Sequence, residues 1–136
     1  MVKLLEEDRT HSIIGAFYEV YNTLGYGYLE SVYCSALEGE LRDLGHTVAR
    51  QYAVRVMYKG REVGFHRLDL LVDDRVILEI KSTAVLPPTA QRQLLNYLRG
   101  TSLEIGLLLH FGPKPVFYRQ VCLKHQTDSD QSGSSV

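Results

Sequence analysis

Residues 66–82 read HRLDLLVDDRVILEIKS, two apolar-rich stretches on either side of a polar Asp73-Asp74-Arg75. Side chains alternate with a period of two on both sides, the pattern of two strands joined by a tight turn. A three-residue loop sets Val72 opposite Val76, Leu71 opposite Ile77, Asp69 opposite Glu79 and Arg67 opposite Lys81. One face then holds Leu68, Leu70, Val72, Val76, Leu78 and Ile80, so it is expected to be core, with His66 on that same side. A two-residue loop would put Asp69 and Glu79 on opposite faces, so the chemistry of the segment depends on the register.

Working outward, Thr47–Tyr58 reads as a preceding strand, with Lys59-Gly60 as its turn into a strand over Glu62–Val72, and Val76–Lys81 follows. Upstream the period is helical. Ile13, Ile14, Phe17, Val20, Tyr21 and Leu24 predict a helix over Leu4–Leu24 that Gly25 stops. Leu29, Val32, Tyr33, Ala36, Leu37, Leu41 and Leu44 predict a second, closed by Gly45. Downstream, Pro87-Pro88 precedes a short helix over residues 89–99. Ile105–Phe111 is a nearly continuous apolar run, as for a strand buried on both faces. Gly112-Pro113 ends it, and Val116–Leu123 is a last strand. The order is α-α-β-β-β-α-β-β: an α/β fold with a mixed sheet flanked by helices. The helix at 89–99 can carry the chain over to set the 105–111 strand parallel to the third.

With 136 residues the chain is expected to be one domain over residues 1–124, followed by a disordered polar tail, HQTDSDQSGSSV, over 125–136. No apolar run reaches the roughly 20 residues that span a bilayer, and the N-terminus has no secretory h-region. Cys34 and Cys122 lack metal-ligand spacing and are expected to be buried thiols of a cytoplasmic protein. Net charge is −1, but unevenly spread. Residues 1–41 carry two Lys/Arg against seven Asp/Glu, and residues 42–124 carry thirteen against seven. A basic segment suits a phosphate-bearing partner, though a solvated surface accounts for it equally well.

In the three-residue-loop register, the Asp69 and Glu79 carboxylates are side by side, with Cβ atoms about 4.5–5.5 Å apart. Such a like-charge pair is unfavourable unless a proton or cation lies between. Mg²⁺ or Mn²⁺ suits that gap, because hard cations take carboxylate oxygens together with water. Lys81 points to the same side and can hold a scissile phosphate or a water nucleophile. The bland alternative is a surface salt-bridge cluster, or charges guarding a sheet edge. Gln93 and Tyr97, four apart, share a face of the short helix. Glu30 lies in the first turn of the second helix, where a carboxylate also complements the helix dipole. Tyr33 and Tyr97 are equally well read as packing aromatics.

Gly27-x-x-Glu30-x-x-Tyr33, the 66–82 block and QLLNYL at 93–98 together resemble the GxxExxY proteins, a bacterial group in the PD-(D/E)xK nuclease-like superfamily. The likeness covers about residues 10–122, and its core order, α-β-β-β-α-β, agrees with the order above. It implies a restriction-endonuclease-like fold with Glu30, Asp69, Glu79 and the Ile80 carbonyl as metal ligands. It also implies Lys81 as the catalytic lysine, working with Asp69, Glu79 and Gln93. Gln93 and Tyr97 would order the site or the phosphate, and Tyr33, Arg67, Arg92 and Tyr97 are the side chains expected to meet substrate. Leu68 stands where the superfamily motif has proline. His11 is too far from Glu30 in sequence to be assigned as the helical histidine ligand that some relatives use. The expectation is a Mg²⁺- or Mn²⁺-dependent nuclease acting on DNA. The rival is a module that keeps the fold only to bind nucleic acid or protein. An RNA-directed nuclease stays open, since nothing here reads a 2′-hydroxyl. Exposed strand edges and nine tyrosines admit a homodimer or a larger partner complex.

Overall fold

The computed structural model describes residues 4–124; the tail over 125–136 lies outside the described residues. Helix α1 spans Glu7–Leu24 and buries Ile13, Ala16, Phe17 and Val20 at helical spacing, with Glu7 and Asp8 in the first turn. That placement of acids suits the positive end of the helix dipole. Gly25 and Gly27 then take φ of 77° and 111°, left-handed values that a side chain would resist. They turn the chain into α2, Glu30–Asp43, which buries Tyr33, Cys34, Leu37 and Leu41. Strands β1 (Val48–Tyr58), β2 (Arg61–Val72) and β3 (Val76–Lys81), helix α3 (Ala90–Arg99) and strands β4 (Ile105–Phe111) and β5 (Pro115–Val121) follow. Among the described residues no helix is long and apolar enough to cross a membrane.

The five strands lie in the order β1-β2-β3-β4-β5. The first three form an antiparallel meander, and β4 lies parallel to β3. Leu70 pairs with Leu78, Leu71 with Ile77 and Val72 with Val76, the register of a three-residue loop. Asp73 and Asp74 make that loop at φ of 54° and 56°, a region that aspartate enters more easily than most residues.

The sheet is buried on both faces. Helices α1 and α2 cover Val48, Leu70, Val72, Val76, Leu78, Ile80, Ile105, Leu107 and Leu109. Helix α3 covers Val54, Leu68, Leu71, Ile77 and Leu108. The expectation that Leu68 shares the face of Leu70, Val72, Val76, Leu78 and Ile80 is corrected here. Leu71 and Ile77 belong to the second core, and Leu68 packs with them rather than with Leu70. The β1–β2 ladder skips the Gln51/Asp69 position, and Gln51 has φ of 60°. Alternation breaks there, so the residues of β2 before Asp69 exchange faces. His66, expected on the first core's side, faces α3 instead, its ring stacked on Tyr97 at 4.3 Å. Cys34 is buried as expected, but Cys122 is only half-buried.

Candidate metal centre

At the open end of the β2–β3 hairpin the ladder stops one pair short of Asp69 and Glu79. The two carboxylates take over from the missing backbone bonds. Asp69 Oδ2 accepts the Ile80 amide at 2.7 Å, and Glu79 Oε1 accepts the Asp69 amide at 3.2 Å. Each side chain is thus fixed by the opposite strand, which holds the two acids together. Glu79 is buried, and its other oxygen meets His66 Nε2 at 3.1 Å. Burial, reinforced by the Asp69 charge and only partly offset by Lys81, pushes the Glu79 carboxyl up to about 8. A pair this unfavourable as two anions is the state that a bound cation would relieve.

Lys81 is half-buried and makes no hydrogen bond or ion pair with any described residue. Its charge is felt by both Glu79 and His66. The chain beyond it is clamped from two sides. Glu30 Oε2 accepts the Ser82 amide at 3.3 Å, and the Ser82 hydroxyl donates to the Tyr28 carbonyl. On the other side, His110 Nε2 donates to the Thr83 carbonyl at 2.8 Å. Gly112 is required beside it, since a Cβ there would lie 2.6 Å from the His110 ring. Tyr26, Gly27, Tyr28, Glu30, Ser82 and Thr83 border an open cleft of about 470 Å³ at this strand end.

The sequence-predicted residues divide accordingly. Asp69, Glu79, Lys81 and Glu30 gather around the end of β3, and Ile80 contributes backbone while its side chain lies in the core. Tyr97 joins them through His66. Gln93 and Arg92 are exposed on α3, and Gln93 makes no side-chain hydrogen bond among the described residues. Arg67 is exposed, with its guanidinium over Phe65 at 4.9 Å. Tyr33, expected to meet substrate, is corrected: it is fully buried and stacked on Phe111 at 4.0 Å. Its hydroxyl donates to the Gly25 carbonyl and accepts the Tyr28 amide at 3.3 Å, so it holds the loop before Glu30. Sequence reasoning missed His66 and His110. The signal for His110 was present, since it is the one polar side chain in the buried run IGLLLHF.

The donor set is hard oxygen throughout, which fits Mg²⁺ or Mn²⁺ rather than a thiolate-preferring ion. Among the described residues no three His, Cys, Asp or Glu side chains yet converge on one point. The model of the PD-(D/E)XK nuclease superfamily matches residues 7–124. The chain belongs to this superfamily. Asp69 and Glu79-Ile80-Lys81 carry the letters of the PD-(D/E)XK name, with Leu68 in place of the proline. The crystal structure of SSO0001 shares the fold, with a TM-score of 0.54 at 20% identity over 93% of this chain. The matched region is 62% of that protein's length. No curated protein matches.

A larger cleft of about 670 Å³ lies at the turn end of the hairpin, bordered by Leu4–Arg9, His46 and Asp73. There Ser12 Oγ lies 2.8 Å from His46 Nε2, and His46 Nδ1 lies 2.7 Å from Asp73 Oδ2. The order is that of a nucleophile triad, but Ser12 sits inside α1, where the amides are spent on helical bonds. Such a serine lacks the pair of free amides that an oxyanion needs. Asp73 also accepts Arg9 Nε at 2.9 Å and the Thr47 amide at 2.8 Å. This cluster is a clasp between helix and turn.

Proposed function

We propose that this PD-(D/E)XK protein is a Mg²⁺- or Mn²⁺-dependent phosphodiester hydrolase acting on DNA, of the GxxExxY group, working in the cytoplasm. One observation supports it above the rest: Glu79 is buried against Asp69, each fastened by the other strand's amide, with an uncommitted Lys81 beside them. Asp69, Glu79 and the Ile80 carbonyl would hold the ion, and Glu30, tied to the Ser82 amide beyond the end of the same strand, would join them directly or through water. When bound, the ion lowers the pKa of a water and screens the scissile phosphate. Lys81 offers its ammonium to a phosphate oxygen, where negative charge grows during displacement. His66, braced by Tyr97, orients Glu79. Gln93, four residues before Tyr97 on α3, and the neighbouring Arg92 are both exposed and would meet the strand.

The test is Mn²⁺-dependent cleavage of single-stranded, duplex and branched DNA by wild type and Lys81→Ala. Cleavage by wild type alone supports the proposal; equal cleavage by both overturns the role of Lys81. A second reading, a binding module without turnover, is favoured by the lack of a third converging ligand side chain among the described residues. Calorimetry separates the two, because a module of that kind would show no Mn²⁺ binding at millimolar concentration.

A further inference from the structure

The β1–β2 hairpin runs beyond the sheet. Its ladder continues out to Tyr58 and Arg61, whereas on β2 only Leu70, Leu71 and Val72 pair with β3. Residues 52–68 therefore form a two-stranded ribbon that leads into Asp69. The ribbon face toward α3 is occupied: Val54 and Leu68 are core, and His66 stacks on Tyr97. The opposite face is open. On it Arg55 faces Phe65 across the ladder, and Arg67 follows two residues later. Both guanidinium groups lie over the Phe65 ring, at 5.1 and 4.9 Å, and Arg55 also pairs with Glu62 at 2.8 Å, yet Phe65 as a residue is 42% exposed. At the tip, past a bulge at Val56/Met57, Tyr58 is 57% exposed beside Lys59 and Arg61. Over residues 52–68 the cations Arg55, Lys59, Arg61 and Arg67 face a single acid, Glu62.

We propose that this open ribbon face is a platform for single-stranded DNA and delivers the strand to Asp69 and Glu79. Charge selects the partner. A second copy docking through the same patch would set like charges against one another, whereas a phosphate backbone neutralises them. The rings select the form of the strand. Exposed aromatic faces stack unpaired bases and find no such surface in an intact duplex. Arginines on an exposed ring can turn onto phosphates while the ring takes a base, or present their own planes for stacking. Arg67 lies two residues from Asp69 along β2, on the face opposite His66 and Glu79, so a strand held at Phe65 reaches the candidate centre by rounding the free edge of the ribbon beyond β3. The delivery step rests on the nuclease proposal; the binding step does not.

The experiment is fluorescence anisotropy of a labelled oligothymidine with the full chain in EDTA, which removes any metal and any cleavage. Wild type is expected to bind it more tightly than a blunt duplex of the same length. Phe65→Leu, which keeps an apolar side chain, should weaken binding by about 5- to 150-fold, the range for one stacked base. Phe65→Tyr should restore it, which a merely structural defect would not allow. Arg67→Ala should lower the salt slope by about one. Unchanged affinity in Phe65→Leu, equal or tighter duplex binding, or preference for oligouridine overturns the platform. So does self-association of wild type that Phe65→Leu abolishes, since a second copy would then occupy the face. Oligothymidine binding without Mn²⁺-dependent cleavage overturns the nuclease proposal alone. Cleavage with binding indifferent to Phe65 overturns the platform alone.

Discussion

Two histidine–carboxylate pairs stand at opposite ends of the same hairpin, and their surroundings set them apart. At the turn, burial alone would raise the Asp73 carboxyl. Hydrogen bonds from His46, Arg9 and the Thr47 amide outweigh this and hold it at about 2. At the open end, burial and the Asp69 charge push Glu79 to about 8, and its ties to His66 and the Asp69 amide do not compensate. The first carboxylate has all its needs met by protein and serves the fold. The second is left in want of a cation, the condition that candidate reactive sites share.

The comparison breaks most sharply at Glu79. Glu79→Gln keeps the shape but loses the anionic ligand, and Mn²⁺-dependent cleavage in a gel assay should fall at least about 1,000-fold. Above pH 8, thermal melting of the metal-free variant should be no lower than wild type, because the buried anion that wild type carries there has gone. Asp73→Ala should do the reverse, costing about 2–4 kcal/mol of stability in urea because charged hydrogen bonds are lost, with metal-dependent cleavage retained in the folded fraction. Asp73 also fixes a pH response. A carboxyl depressed in the folded state stabilises above its unfolded pKa of about 3.9, and that stability disappears as pH falls toward 2. The wild-type urea midpoint should therefore drop over this window more steeply than that of Asp73→Asn.

His66→Phe sharpens the contrast at the other end. It preserves a ring for Tyr97 but deletes the contact to Glu79, so cleavage should fall by about 10- to 100-fold, as for lost partners of metal ligands. Full activity would remove His66 from the site. Ser12→Ala is the smallest change, about 1 kcal/mol in a urea titration for one hydrogen bond. Labelling of Ser12 by a fluorophosphonate would contradict its assignment to a clasp.

Legibility followed the same divide. The register of the hairpin, with Leu70 against Leu78, was readable because apolar alternation and the Asp73-Asp74-Arg75 turn permit few pairings. That register brought Asp69 to Glu79 and left Lys81 beside them, and Ile105–Phe111 read as a doubly buried strand, as it is. Alternation carries information only while the ladder is regular. Where pairing lapses at Gln51 and Asp69, it misplaced Leu68 and His66. Tyr33 misled for another reason: its motif spacing was visible, but its seat against Phe111, far along the chain, was not.

The sequence by itself determined the order of elements, the hairpin register and the acids and lysine at its open end, because these rest on local periodicity and turn chemistry. Tertiary structure alone decided which carboxylate is satisfied. Arg9, His46 and Thr47 reach Asp73 from distant segments, while Glu79 meets Asp69, His66 and a dry interior. Solvation and partnership are properties of neighbours in space, and no local pattern encodes them.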